Sequence, residues 1–388
     1  MANWSARERQ LIDSANEVAV AVRQADFPRW NSTDASTKRH LKLAASKGLM
    51  GIQVPIDWGG SQASFQCKAV IAETLAEADF GFSMSLINTQ NIAVVLSQWM
   101  TRPAGSEAQA ALAARIIPLL VSAEKTGCTA LTEPHAGSDF AAIKTLASRH
   151  EDGWLIDGEK AWIINAEFTD FVVMYAQTQA GSGAAGIAAF LIDTQRAGFQ
   201  RNPHFGSEAA ASLGTSGFTL RGYFAKKEEM IHPAGLAFKR ALESINAART
   251  YVAAMCCGMV TECLRVAVDY GSKRSAFGVT LAEHQGWRWR IAEAAVDLEA
   301  AKQLVQAASR AIDENQPVVE LAAKAKVFAV RMAEKHTAAL LHSMGANGLK
   351  DEYPFVRHMI GAQIAGFTDG STEMMLERIC KSELPAKR

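Results

Sequence analysis

The stretch Cys128-Thr-Ala-Leu-Thr-Glu-Pro-His-Ala-Gly-Ser-Asp139 gathers residues suited to holding a ligand. Its β-prone start breaks at Glu133-Pro134, because proline has no N–H to give to a ladder. Ala136 and Gly137 let a bulky partner approach the backbone, and Thr132 and Ser138 place hydroxyl donors beside it. After the Glu151-Asp152-Gly153 turn, Trp154-Leu-Ile-Asp-Gly-Glu-Lys-Ala-Trp-Ile-Ile-Asn165 carries Trp154, Ile156, Ala161, Ile163 and Ile164 toward an aromatic-rimmed end. Far downstream, Asp369 stands before Gly370-Ser371, where a carboxylate suits the N-cap of a following helix. None of the nine histidines falls in a His-Glu-x-x-His pattern and no Cys-x-x-Cys pair occurs, so no metal site is expected.

These stretches need elements to position them. Residues 1–122 read as a helical block. Ile12, Ala15, Val18, Ala19 and Val22 keep a helical period, and further helices are expected over 42–51, 64–78 and 85–99. Gly51 to Gly60 is a turn rich in breakers. Residues 123–232 change character, with strand-like runs at 170–177, 186–194 and 217–225, and imply a small β-barrel or sandwich. The glycine-rich Ala180–Gly186 tract lacks the G-x-G-x-x-G spacing and reads as a hairpin tip. Residues 233–388 return to helices. Ile291, Ala294, Leu298, Ala301, Val305 and Ala308 mark one face, and Leu321, Ala325, Phe328 and Met332 another after Pro317. Tyr251 to Ala267 is apolar nearly all round, as in a helix buried within a four-helix bundle. The fold class expected is α+β: an N-terminal helical domain, a central small β-barrel or sandwich, and a C-terminal four-helix bundle.

A chain of 388 residues is long for one core and suits two or three domains. Forty basic residues balance forty acidic ones, which leaves no field to draw nucleic acid or an anionic membrane. Six cysteines in this length imply no disulfide scaffold, and Cys256-Cys257 reads as core filling. The charged N-terminus shows no secretory pattern, and the longest uncharged apolar run, Tyr251 to Val260, is too short to span a bilayer. A cytoplasmic protein is expected.

The two central stretches together, in this order, resemble the flavin-binding core of the acyl-CoA dehydrogenases, and the resemblance runs over essentially the whole chain. Gly48, Gly51, Pro55 and Gly59-Gly60 also match that family's first domain. The resemblance implies FAD as cofactor, with Leu131, Thr132, Ser138, Trp162 and Ile164 around its ring. Arg274-Ser-Ala-Phe277-Gly278, continuing to Gln285, resembles the family's Arg-x-x-Phe-Gly block. It implies that Arg274 pairs with the FAD pyrophosphate of a neighbouring subunit, its planar fork suiting phosphate, and that Phe277 and Gln285 touch the cofactor. His342, Gly345 and Ala346 match the segment near the adenine end. Ser371 and Glu373 complete the cofactor set, while Ser138, Arg249 and Gly370 are the implied substrate contacts. A site shared in this way implies a homodimer or homotetramer.

Asp369 stands where most members carry a glutamate base, and Ala248 occupies the family's alternative base position. The resemblance therefore implies α,β-dehydrogenation of an acyl thioester, with the α-proton taken by Asp369 and the β-hydride passing to flavin N5. The acyl carrier is CoA or an acyl-carrier protein, and an electron-transferring flavoprotein is the implied acceptor, within fatty acid metabolism. Three departures stand out: aspartate for glutamate, Ile164 for the threonine of Trp-Ile-Thr, and His342-x-x-Gly345-Ala346 for a glutamine with a glycine pair. They leave open an oxidase or monooxygenase of the same superfamily, and an inactive homologue acting as a binding protein.

Overall fold

The computed structural model describes residues 4–24, 33–100, 106–203 and 206–384. The chain opens with five helices: α1 (Ala6–Gln24), α2 (Thr33–Ser46), α3 (Phe65–Ala78), α4 (Phe80–Met100) and α5 (Glu107–Val121). Their boundaries follow local chemistry. Ser64 caps α3 by accepting from the Cys67 N–H, and Ser106 forms a capping box with Gln109 at α5. Two expected helices have moved. The helix expected over 42–51 is α2, which stops at Ser46 because Gly48 turns into the left-handed region. The helix expected from 85 begins at Phe80, where the Asp79 carboxylate accepts from the Phe82 N–H.

Eight strands follow in one sheet: β1 (Gly127–Ala130), β2 (Leu146–His150), β3 (Gly153–Ile163), β4 (Phe171–Gln177), β5 (Ile187–Asp193), β6 (Phe199–Arg201), β7 (Ser216–Lys226) and β8 (Met230–His232). The order is β6-β7-β3-β2-β4-β5-β8, with β1 parallel to β4. The sheet curls around its own core of Ile156, Val172, Met174, Phe190, Phe218 and Tyr223. Strand periodicity sends Phe171, Val173 and Tyr175 of β4 to the opposite face, against Ile92, Leu96 and Ile117 of α4 and α5. Hence β4 is buried on both faces and lacks the alternation of a half-exposed strand. The glycine-rich 180–186 tract does join β4 to antiparallel β5 as a hairpin tip. Contact between α4 and β1 is tight: a Cβ on Gly127 would lie 2.6 Å from Ile92.

The last block holds α6 (Ala237–Lys273), a short hairpin of β9 (Ser275–Ala276) and β10 (Val279–Thr280), α7 (Gln285–Asp313), α8 (Val319–Ser343), α9 (Phe355–Phe367) and α10 (Thr372–Glu383). By length and apolarity α6 is able to cross a membrane, but 72% of its most apolar window is buried inside the protein. That apolarity serves a core: α6 packs among α3, α7, α8 and α9. The expected α7 stripe of Ala294, Leu298, Ala301, Val305 and Ala308 is buried there. Cys256 and Cys257 are both in this core, and burial raises both thiol pKa values.

Candidate active site

The loop after β1 is shaped by a buried charge pair. Glu133 and Ala136 exchange backbone hydrogen bonds around Pro134-His135, so the strand ends at Ala130, ahead of the expected break at Glu133-Pro134. The Glu133 carboxylate accepts from Lys160 Nζ at 2.8 Å, from the Lys144 N–H at 2.7 Å and from the Thr145 N–H at 3.0 Å. Lys160 also donates to the Leu131 carbonyl at 3.0 Å. Burial pushes the Glu133 carboxyl up, but Lys160 and the N–H donors outweigh it and hold the pKa below the usual range. Lys160 is brought down to about 8 by burial, against the opposing pull of Glu133. With Glu133 so occupied, Gly137, Ser138 and Asp139 are left exposed on the loop's outer side, and Leu131 and Thr132 are half-buried.

Strand β3 runs beside this loop, since the Ala161 N–H donates to the Thr132 carbonyl at 3.1 Å. Its register against β7 shifts between Lys160 and Ile163, and Trp162 sits in this irregularity at φ 60°. The shift turns the Trp162 ring out, 63% exposed, while Ile163 stays buried and Ile164 packs half-buried against the helical core. Asn165, at φ 67°, then ties the segment down through its amide, which donates to the Ser85 and Gly127 carbonyls, each at 3.1 Å. The result is an exposed aromatic shelf beside small loop residues and hydroxyls, a surface that fits a flat heteroaromatic ring such as a flavin.

Asp369 lies in the four-residue link between α9 and α10, at φ 56°, a backbone region that aspartate tolerates better than most residues. It is not the N-cap of α10. Ser371 is, accepting from the Met374 N–H at 3.3 Å, which leaves the Asp369 carboxylate available for other work. Two buried cations hold the link through its backbone. Arg249 Nε donates to the Asp369 carbonyl at 3.0 Å, with its other arm on Asn246 Oδ1 at 2.7 Å. Lys326 Nζ donates to the carbonyls of Thr368 and Gly370. Gly370 is required there, because its φ is 99° and a Cβ would stand 3.3 Å from the Arg249 guanidinium.

Burial raises the Asp369 pKa, with Lys326 and Arg249 opposing the rise. Burial likewise lowers Lys326 to about 8 and Arg249 to about 10. Ala248, beside Arg249 on α6, is buried and offers no carboxyl of its own. Lys326 is the residue missed by sequence reasoning, although a signal was present. It falls on the buried stripe of Ala322, Ala325, Ala329, Val330 and Ala333, where a lysine needs a reason.

The remaining candidates gather at the other end of the bundle. Arg274 ends α6 and is exposed, its N–H bonding the Tyr270 carbonyl. Phe277, at φ 56° on the tip of the β9–β10 hairpin, is 98% exposed. Gln285 begins α7 and is exposed, as are His342 near the end of α8 and Gly345-Ala346 beyond it. Trp287 Nε1 donates to the Ser343 carbonyl at 3.1 Å, and Asn347 Nδ2 to the Tyr270 hydroxyl at 2.7 Å, which fastens these pieces together. A cleft of about 650 Å³ beside Arg274 is rimmed by Arg265, Lys273 and Tyr353, and also by Asp269 and Asp351.

Arg249 and Arg274 lie on one helix, about 37 Å apart at the helical rise. One chain therefore brings Asp369, Arg249 and Gly370 together, and Thr132 with Trp162, but does not bring Arg274, Phe277, Gln285, His342, Gly345 and Ala346 to them. Glu373 is exposed on the first turn of α10. No cluster able to hold a metal ion occurs among the described residues.

Comparison with known proteins agrees along the whole chain. Three family models match: acyl-CoA dehydrogenase N-terminal domain over 5–124, middle domain over 128–222, and C-terminal domain over 238–384. A short/branched chain specific acyl-CoA dehydrogenase of Rattus norvegicus is 31% identical over 335 residues, covering 86% of this chain and 76% of the relative. The solved butyryl-CoA dehydrogenase of Megasphaera elsdenii superposes with TM-score 0.89 at 26% identity, covering 99% of this chain and all of that one. A chain solved in work on the electron transferring flavoprotein of Acidaminococcus fermentans gives TM-score 0.89 at 26% identity, covering 99% of each.

Proposed function

The chain belongs to the acyl-CoA dehydrogenase family, and from that premise we propose that it oxidises an acyl thioester at its α,β carbons with FAD as cofactor. The observation that carries this reading is the Asp369 link. It holds a carboxylate of raised pKa, fixed through its backbone by two buried cations, in a family whose reaction begins by removing a proton.

Asp369 takes the proton from the α-carbon. A base needs a pKa high enough to accept the proton yet low enough to be ionised, and burial moves Asp369 toward that condition. Arg249 and Lys326 are positioning residues, because they grip the main chain on either side and limit the carboxylate's travel. FAD, when bound, supplies the acceptor for the β-hydride. Trp162, Thr132 and Ser138 would line its ring, and Ile164 would offer a backbone N–H but no hydroxyl where a threonine is usual.

The separation along α6 supports a shared site: Arg274, Phe277, Gln285, His342, Gly345 and Ala346 would serve the FAD of a second copy, in a homodimer or homotetramer. A separate electron-transferring flavoprotein is the proposed acceptor. Ile164 favours one alternative, a flavin oxidase or monooxygenase of the same superfamily, since a changed donor beside the ring alters its reactivity toward dioxygen.

Anaerobic titration with a panel of acyl-CoA thioesters tests the proposal. Bleaching of the flavin by one of them, with slow reoxidation in air, is the expected result. Rapid reoxidation with release of peroxide supports the oxidase instead, and a protein that takes up no FAD overturns both.

A further inference from the structure

Lys68 on α3 is a buried cation unlike the others. It is only 3% exposed, on the stripe that carries Ile71, Ala72 and Leu75 into the core. Its ammonium donates to two neutral amides, Gln53 Oε1 at 2.9 Å and Asn91 Oδ1 at 2.6 Å. Rings stand around it: its Nζ lies 5.2 Å from the Tyr251 centroid and 5.7 Å from that of Phe65. Lys160 has Glu133 at 2.8 Å and Lys302 has Glu73 at 2.9 Å, and Lys326 lies in the field of Asp369. Among the described residues no carboxylate pairs with Lys68. Burial alone brings its pKa down to about 7, with no nearby acid to raise it. Joining two amide side chains calls for no charge, and a desolvated ammonium is a costly way to do it.

Its position supplies the reason. Asn91 Nδ2 donates to the Tyr251 hydroxyl at 3.3 Å, and Tyr251 follows Arg249 by two residues on α6. Arg249 in turn holds the Asp369 carbonyl at 3.0 Å, and the Tyr251 phenol has its pKa raised by burial first and then by the Asp369 carboxylate. A polar line thus runs from Tyr251, on the part of α6 that carries Arg249, through Asn91 to the ammonium.

We propose that Lys68 anchors a carboxylate at the far end of the acyl group, so that the substrates are thioesters of dicarboxylic acids. This inference rests on the acyl thioester reading above. The third N–H of Lys68 would donate to the ligand carboxylate, and the pair would cancel the desolvation of both charges.

The test compares the FAD-loaded wild type with Lys68→Met, Lys68→Gln and Lys68→Arg. The probes are succinyl-, glutaryl- and adipyl-CoA against butyryl- and hexanoyl-CoA, read by anaerobic flavin bleaching and by isothermal titration. The wild type is expected to prefer a diacid thioester. Lys68→Met should lower the diacid-to-monoacid affinity ratio about ten- to a hundredfold, the loss of one charge-assisted hydrogen bond. Lys68→Gln keeps polar contacts without charge and should lower the ratio similarly even if Lys68→Met folds poorly, and Lys68→Arg should retain more of it. A wild type that favours monoacids, or an unchanged ratio in both neutral variants, overturns the anchor and leaves Lys68 a tether between α3 and α4. Bleaching by monoacids alone defeats only this inference. Failure of every thioester to bind or bleach defeats the parent reading and the anchor with it.

Discussion

The two ends of α6 carry opposite kinds of site. Near its start, Arg249, Tyr251, Lys326 and the Asp369 link are buried or half-buried and shifted in pKa by desolvation, and Arg249 and Lys326 hold the link through its carbonyls. At its end, Arg274, Phe277, Gln285 and His342 are exposed on the outside of the bundle. The contrast follows the chemistry each end is suited to. Proton abstraction needs a carboxylate whose water has been stripped and whose position is fixed before the substrate arrives. Grasping an anionic group needs donors that remain open, and exposure keeps a guanidinium available to one. One end draws its groups together within a single chain, whereas the groups at the other stand open on its surface.

Breaking the buried end should have the largest effect. Asp369→Asn keeps a residue that tolerates the left-handed backbone but cannot take a proton, so flavin reduction should slow by about 10²–10⁴-fold. FAD content should be unchanged. Because burial raises the folded pKa, Asp369 contributes stability that is present below the ordinary aspartate value and is lost as pH rises through the raised one. Asp369→Asn should therefore melt no lower than the parent at neutral pH, and an inactive variant that also unfolds would reassign Asp369 to structure. In the parent, flavin reduction should fall as pH drops through that raised pKa, an acid limb lying above the range of a solvated aspartate.

Breaking the exposed end should give the complementary result. Arg274→Ala should weaken FAD retention by about ten- to a hundredfold, while the FAD-saturated variant reduces its flavin at near the parent rate. Equal FAD affinity, measured by flavin release on dilution, would separate Arg274 from the cofactor.

Lys326→Met sharpens the buried side. It removes the donor to the Thr368 and Gly370 carbonyls, at about 1–3 kcal/mol for each carbonyl left buried and unpaired. It also removes a charge that holds the Asp369 pKa down, so the acid limb should move to higher pH. A lower melting temperature with an unmoved limb would confine Lys326 to holding the loop. Ile164→Thr is the mildest change, expected to alter flavin reduction and air reoxidation by less than about tenfold, since one added hydroxyl donor contributes on the order of 1 kcal/mol. Unchanged flavin spectra would place Ile164 away from the ring.

The sequence by itself determined a good deal. Helical periods in α1 and α7 named the faces that are buried, and the punctuation after 123 separated strands from helices, because solvent partitioning along a regular element is a local property. The central loop, the Trp162 strand and Asp369 stood out through the resemblance their motifs carry, since such motifs reflect backbone geometry that a few neighbouring residues impose. Only the tertiary structure decided which charges lie buried and what they hold. Glu133 is turned inward onto Lys160, Ser371 caps α10 in place of Asp369, and Lys326 and Lys68 sit on apolar stripes. Desolvation depends on how α3, α4, α6 and α8 pack together across long sequence separations, and no local pattern encodes that packing. The span of α6 is likewise tertiary: a continuous helix holds Arg249 and Arg274 about 37 Å apart, a separation that the motifs at its two ends do not reveal by themselves.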